Sequence, residues 1–315
     1  MTVLHAGIAT FLGASCVSPE RVALEEAQAT VAVLGLPDDT TTVTRPGASH
    51  GPRAIREASS HFAFGGTYHF DYGVTISDHE TVVDCGDVNP VAGNAARTFE
   101  RAEAALAEIH SAGAFPVLLG GDHATLIPGA RAAARAMSGR MGLVMLDTHL
   151  DTAPDIDGEE LSHCSPVHRV LDLDNVDGTN VAIIGAHGAA NPKLELDVAE
   201  AHGVHVFSVR DIDRLGIGSV ARQALEAVSD GTDGVYLSFD IDVLDGAFAW
   251  GTCGPELGGM TGREVVQALE ILTRANLIAM DCVEVAPFLD PSGNTARVGA
   301  RVVLDVLAGR LAAGD

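Results

Sequence analysis

Short β-branched apolar runs alternate with longer Ala-, Leu- and Glu-rich stretches along this 315-residue chain. The apolar runs are Val31–Leu36, Phe115–Leu119, Gly142–Leu146, Asn180–Gly185, Val204–Val209, Gly234–Phe239 and Ile278–Val285. Helical patterns lie between many of them, at Asn94–Ser111, Thr125–Met137, Lys193–His202, Ser219–Ser229 and Thr261–Thr273, and a last one runs from about Thr295 to Leu311. Continuous apolar runs suit strands buried on both faces, and strands alternating with helices of this length imply a parallel sheet. The expected fold class is α/β, a doubly wound, mainly parallel sheet with helices on both faces and right-handed crossovers. No repeat, low-complexity tract or charge block divides the chain, so a single domain is expected over 1–315, with 1–30 as an N-terminal extension of a core at 31–315.

In open α/β sheets, ligands bind at the carboxyl ends of the strands, so the residues after each apolar run carry the information. Phe115–Leu119 is followed by Gly120-Gly121-Asp122-His123, and Gly142–Leu146 by Asp147-Thr148-His149-Leu150-Asp151. The run ending at Phe239 delivers Asp240-Ile241-Asp242 and then Asp245, and the run from Ile278 contains Glu284. Alternate residues of an extended segment point to one side, so Asp147, His149 and Asp151 share a side, as do Asp240 and Asp242. With His123 these make six candidate metal ligands, too many for one tetrahedral site and suited to two ions with bridging carboxylates. Clustered acidic side chains at apolar strand ends need a cation to offset their repulsion. Few imidazoles, many carboxylates and no thiolate favour Mn²⁺, with Zn²⁺, Ni²⁺ and Co²⁺ compatible. Two such ions about 3.5–4 Å apart deprotonate a bridging water at neutral pH.

Charge and composition narrow the partners. There are 43 acidic residues against 19 basic ones, a formal charge of −24, which speaks against nucleic acid and anionic membranes and favours a cationic ligand. Apolar residues make up 47% and aromatics 4%, as suits a Val/Leu/Ile/Ala core. The five cysteines (Cys16, Cys85, Cys164, Cys253, Cys282) are scattered without a CxxC pair, which fits a reducing cytoplasm. Val3–Val17 is mildly apolar but has no basic residue before Arg21, so it does not read as a signal peptide, and no run reaches the roughly 18 residues of a membrane span.

These motifs resemble the ureohydrolase family, which includes arginase, agmatinase and guanidinobutyrase. Its signatures are matched by Gly120–His123, Asp147–Asp151, Ser238–Asp245 and Glu284 within Asp281–Pro287. Gly35–Asp39, Arg45–Ala48 and Gly51–Arg56 look like agmatinase-type members, and Thr295-Ala296-Arg297 is similar to the family's last helix. The resemblance implies the arginase/deacetylase-like three-layer fold. It implies two Mn²⁺ per chain, one held by His123, Asp147, Asp151 and Asp240, the other by Asp147, His149, Asp240 and Asp242. It further implies attack of a metal-bridging hydroxide on a guanidinium carbon, with Asp151 accepting its hydrogen bond, Glu284 pairing with the guanidinium, and His163 passing protons to the leaving amine. Urea and an amine are the products. A trimeric or hexameric homo-oligomer is the family precedent. Asp122 and Asp245 are expected to support ligands or backbone from behind, and Asp122 alternatively to cap the following helix.

Four positions depart from the family pattern: Thr148, Cys164, Gly246 and the loop Ala249–Glu256, which carries the chain's single tryptophan, Trp250. Trp250 either packs this loop or narrows the entrance. Acidic residues ahead of His163, Glu159 among them, would meet a distal ammonium, which makes agmatine the first expectation. A carboxylate-tailed substrate such as 4-guanidinobutyrate needs a cation, for which Arg169 is the candidate and Arg45 a remote second. A single-zinc amide hydrolase and a non-catalytic subunit of the same fold are the competing readings.

Overall fold

A computed structural model of the chain describes residues 7–64 and 66–314; within the apolar Val3–Val17 stretch, residues 3–6 lie outside them. Its strands are β1 Ser15–Cys16, β2 Val31–Leu36, β3 Tyr68–His69, β4 Val74–Thr75, β5 Val82–Asp87, β6 Phe115–Gly120, β7 Met141–Leu146, β8 Val181–Ala186, β9 His205–Ser208, β10 Gly234–Asp240 and β11 Leu277–Val283. β3 and β4 pair with each other, and the others form one nine-stranded sheet in the order β1-β5-β2-β6-β11-β10-β7-β8-β9. Every pairing within that sheet is parallel.

The period-two alternation of the strands builds three layers. Val31, Val33, Val117, Leu119, Val144, Leu146, Leu237 and Phe239 join the core beneath helices Gly51–Ala63, Ile217–Ser229, Gly262–Leu272 and Asn294–Gly314. Their neighbours face the other way. Ala32, Leu34 and Leu118 pack on Leu106 and Ile109 of helix Ala95–Ser111, and Leu143, Met145 and Tyr236 pack on Leu126, Ala130 and Ala133 of helix Leu126–Ala136. The seven apolar runs all become strands, with ends within a residue or two of those expected from the pattern. β6, β11, β10 and β7 are four consecutive neighbours in the sheet although they begin at positions 115, 277, 234 and 141 of the sequence; their carboxyl ends therefore meet at one place.

Two elements escape the hydrophobic pattern for a common reason. β5 is interrupted by Asp84 and Asp87, and helix Gly51–Ala63 begins Gly-Pro and buries Arg56. The two elements satisfy each other's charges. Arg56 Nε and Nη2 donate to Asp84 at 2.8 and 3.0 Å, and its Nη1 donates to Asp87 at 2.6 Å. The Phe11 amide also donates to Asp84, at 2.7 Å, and the Phe11 ring is fully buried, while β1 pairs with β5. Residues 7–30 thus pack into the same body as the rest. No helix of the described residues is long and apolar enough to cross a membrane.

Removing one partner of a buried, hydrogen-bonded ion pair leaves the other charge uncompensated. Arg56→Ala should therefore cost about 3–5 kcal/mol in denaturant unfolding; a loss below about 1 kcal/mol would show that Asp84 and Asp87 find other partners.

Candidate metal centre

The strand ends converge as the topology requires. β6 runs into Gly120-Gly121, and a β-carbon at Gly121 would lie 1.8 Å from the Asp38 carbonyl oxygen, so only glycine lets the chain pass. The next turn presents His123, buried, with Nδ1 at 2.8 Å from Asp147, 2.9 Å from Asp151 and 3.2 Å from Asp240. His149 Nδ1 lies 3.5 Å from Asp147 and 3.1 Å from Asp242. Two nests of donors result, His123/Asp147/Asp151 and Asp147/His149/Asp242, with Asp147 common to both. Asp240 faces the first through His123 and is tied to Asp242, whose amide donates to it at 2.8 Å.

The ionisation balance is that of a site built around positive charge. Burial, Asp242 and Asp147 push the pKa of Asp240 well above the carboxylate range, and burial and Asp147 raise that of Asp151. Burial also lifts Asp242, to about 6, despite His149. Burial acts on Asp147 in the same sense, yet His123 and His149 hold it low.

A hydrogen-bond chain behind His123 sets its tautomer. Ser238 Oγ donates its one proton to Asp281 Oδ1 at 2.7 Å, and Tyr236 donates to Asp281 Oδ2 at 2.9 Å. Ser238 can then only accept from His123 Nε2, 3.0 Å away. In its neutral form His123 then turns the Nδ1 lone pair toward three carboxylates, and both it and Asp147 Oδ2 are buried without a hydrogen-bond partner. Such an arrangement is repulsive unless a cation lies between the groups, and the donor set is hard: carboxylates and imidazoles, no thiolate. The residues fit divalent metal. Thr148 adds to the frame, since its hydroxyl donates to the Asp242 carbonyl at 2.7 Å and its amide to the Asp242 carboxylate at 3.2 Å.

Asp151 and Glu284 both adopt left-handed backbone conformations, φ 52° and 62°. Non-glycine residues hold such angles only where the surroundings impose them. For Glu284, its amide donates to Gly121 O at 2.8 Å, and its Oε1 accepts from the His123 amide and from His163 Nδ1, both at 2.9 Å. Its Oε2 is buried and has no partner. The Val43 amide donates to His163 Nε2 at 3.1 Å, so in this geometry the ring is neutral with its proton on Nδ1. Burial opposes a charge on His163, but Cys164 and Glu284 outweigh it and push the pKa up to about 12; gaining a second proton therefore requires the Val43 contact to open.

These groups line a cavity of about 230 Å³ whose ionisable lining, among the described residues, comprises Asp151, Asp240, Asp242, Glu284 and Glu195 with His123, His149 and His163 and the thiols of Cys164 and Cys253, and no Lys or Arg. Glu195, in the first turn of helix Lys193–His202, is buried and was invisible to strand-end reasoning because a helix brings it. Burial and then Asp151 push its pKa up to about 8. Ser238 and Asp281 were also missed as functional residues; each sits within a strand run rather than after it.

Other expected residues lie elsewhere. Asp122 caps the turn at Ala124 and accepts from Thr41 and Thr42 of the loop that carries Val43. Asp245 is partly exposed and accepts from the Ala247 and Gly258 amides, so it supports the backbone of its own loop. Glu159 is exposed and accepts from the Leu161 amide. Arg169 is engaged by Glu160, Asp172 and the Pro154 carbonyl. Neither residue lines the cavity, nor does Trp250, whose ring lies where a Gly246 β-carbon would be, 2.6 Å away. The Gly246 and Trp250 departures are one packing event.

Comparison with known proteins agrees with this geometry. The model of the Arginase family matches residues 29–309. The mitochondrial agmatinase of Gallus gallus is 34% identical over 276 residues, 88% of this chain and 79% of that protein. Guanidinopropionase of Pseudomonas aeruginosa is 34% identical over 280 residues, 88% of this chain and 85% of its own length. Among solved structures, proclavaminate amidino hydrolase from Streptomyces clavuligerus superposes with a TM-score of 0.89 at 31% identity, covering 99% of this chain and all of that one.

Two measurements test the centre. Chelation should lower Tm and metal return should restore it, since a ligand at a hundredfold its Kd stabilises by about 2.7 kcal/mol; equal unfolding temperatures with and without metal would refute the fit. Asp281→Asn offers Ser238 a donor in place of an acceptor, turns the hydroxyl proton toward His123 Nε2 and moves the imidazole proton to Nδ1. Metal affinity, read by competition with a chelating dye, should fall about 10–100-fold, whereas unchanged affinity would remove the tautomer argument.

Proposed function

Because the chain belongs to the arginase family, we propose that it is a two-manganese ureohydrolase whose substrate carries a cationic tail, agmatine before other guanidino compounds. A hydrolytic enzyme acting on guanidino compounds is what its family and relatives establish; metal number, metal identity and substrate are our reading. The relatives, at equal identity, carry different substrate names, so the cavity has to decide between them.

The observation that carries the choice is the charge of that cavity. Asp147 beneath it, together with Asp151, Asp240, Asp242, Glu284 and Glu195, makes six carboxylates with no Lys or Arg in the lining. With all six ionised, two divalent ions offset four of these charges, and a substrate with both a guanidinium and an ammonium matches the remaining two, its ammonium favouring the ionised form of Glu195. A carboxylate-tailed substrate would meet no cation there, since Arg169 is engaged elsewhere. The alternative, 4-guanidinobutyrate, is favoured only by the raised pKa of Glu195, which in its protonated form would donate to a carboxylate tail.

When bound, the two manganese ions bring the pKa of water toward neutrality and stabilise negative charge developing on it. The chain's own residues do the rest. Glu284 Oε2, free of other partners, pairs with the guanidinium N–H groups, while the His123 amide and His163 hold Oε1 and so fix the plane of the carboxylate. Asp151, turned inward by its left-handed backbone, accepts a hydrogen bond from the attacking water. His163 takes up a second proton once the Val43 contact opens, and this imidazolium beside Glu284 delivers a proton to the departing amine as urea forms, returning to the neutral ring. Glu195 receives the distal ammonium. A homo-oligomer, trimer or hexamer, in a reducing cytoplasm belongs to the same reading; five free cysteines and the exposed Phe70, Leu257 and Phe288 support it.

The decisive assay is urea release by the manganese-reconstituted protein from agmatine, arginine, 4-guanidinobutyrate, 3-guanidinopropionate and guanidine. Agmatine should give the highest kcat/KM, and no urea from any compound at full metal loading would end the proposal. Glu195→Gln should raise KM for agmatine about tenfold or more with a smaller change in kcat, as loss of a charge-assisted hydrogen bond made equally in ground and transition states requires.

A further inference from the structure

We infer that His163, Cys253 and Glu284 form a second metal site in the same cavity, one for a thiophilic divalent cation with the donor preference of zinc. A ring nitrogen of His163, the sulfur of Cys253 and a carboxylate oxygen of Glu284 lie within 4.8 Å of one another, and none of the three belongs to the two carboxylate nests. Zinc bound by sulfur at about 2.3 Å and by nitrogen and oxygen at about 2.0–2.2 Å holds its ligands roughly 3.3–3.6 Å apart, so small side-chain movements close the site around an ion. Three protein ligands leave one tetrahedral position open to the cavity.

Glu284 supplies the independent sign of a missing ligand. Its Oε2 is an unpartnered acceptor on a side chain buried to 2% exposure, lining the cavity with Cys253 and His163. Cys253 is a free, buried thiol whose polar contact is Thr44 Oγ1 at 2.8 Å. Burial, and after it Glu284, raise its pKa, so the sulfur keeps its proton until a metal displaces it. Nδ1 of His163 shares its proton with Glu284 over 2.9 Å, a separation that a metal ion spans in place of that proton. Zinc binding therefore releases the thiol proton to solvent, while the ring stays neutral, its proton passing from Nδ1 to Nε2 as the Val43 contact opens.

The two sites differ in softness. The strand-end nests offer carboxylates and imidazoles, the choice of manganese, whereas a thiolate, an imidazole and one carboxylate select zinc. Cys253 lies in the Ala249–Glu256 loop, where the sequence departs from the ureohydrolase pattern. The consequence for activity rests on the function proposed above. Zinc would occupy the carboxylate that seats the guanidinium and the histidine that carries the proton, so it would inhibit in competition with substrate while leaving the manganese in place.

The test titrates the manganese-loaded full chain with Zn²⁺, and in parallel with Co²⁺ as a spectroscopic substitute, followed by metal analysis. One further zinc ion per chain is expected without loss of manganese, and the cobalt form should show a thiolate-to-metal charge-transfer band. That band should vanish in both Cys253→Ser and Cys253→Ala and persist in Cys164→Ser, which removes the cavity's other thiol. Since altering even a supporting partner costs about 10–100-fold in metal affinity, losing this ligand should weaken zinc at least about 100-fold. Zinc uptake only at the expense of manganese, or a band that survives in the Cys253 variants, would overturn the site. Inhibition of urea release is scored for each variant against its own zinc-free rate, with zinc sensitivity expected to fall in the Cys253 variants alone. Zinc binding with the thiolate signature, but no turnover of any guanidino compound, would leave the metal site standing and sink the ureohydrolase reading instead.

Discussion

The structure is organised around a concentration of buried negative charge that needs cations to be tolerable. Asp147, Asp151, Asp240 and Asp242 crowd around two imidazoles at the carboxyl ends of neighbouring strands, and burial with mutual repulsion drives three of the four toward the neutral form. Only Asp147, held between both histidines, is kept low. The rest of the fold holds these groups together at the cost of their repulsion, through the Ser238–Asp281–Tyr236 chain behind His123 and the Thr148 bridge to Asp242.

Around that charge, local conformations that chains ordinarily avoid are imposed by contacts from distant segments. Glu284 sits at positive φ because Gly121, 163 positions away in sequence, accepts its amide, and because its carboxylate is tied to His123 and His163. Gly121 in turn has no room for a β-carbon against Asp38. Asp122 anchors the loop bearing Val43, whose amide decides where the His163 proton resides. The segment from Asp38 to Thr44 is thus as much a part of the site as the strand ends.

The strand ends were legible because both signals are local. A buried parallel strand must be apolar over its length, and a ligand cluster after it must be polar at period two, so a run such as Gly142–Leu146 followed by Asp147-x-His149-x-Asp151 announces both. The resemblance to a known family added roles to those residues. β5 and helix Gly51–Ala63 were not legible, because Asp84 and Arg56 read as surface residues until each is seen to neutralise the other. Glu195, Glu159, Arg169 and Trp250 carry a related lesson. Nearness in sequence to His163 put Glu159 and Arg169 forward, but their side chains are consumed by neighbours, whereas Glu195 reaches the cavity from a helix with no such proximity.

By itself, then, the amino-acid sequence determined the α/β architecture, the six donors and the chemistry they suit, since periodicity and residue type are properties of short segments. Tertiary structure alone decided which donors share Asp147, which nitrogen of His123 faces them, that no Lys or Arg among the described residues lines the cavity, and that Cys253 lies beside His163 and Glu284. These depend on distances between segments far apart in the chain, and on hydrogen-bond partners competing for the same atoms, neither of which any local pattern encodes.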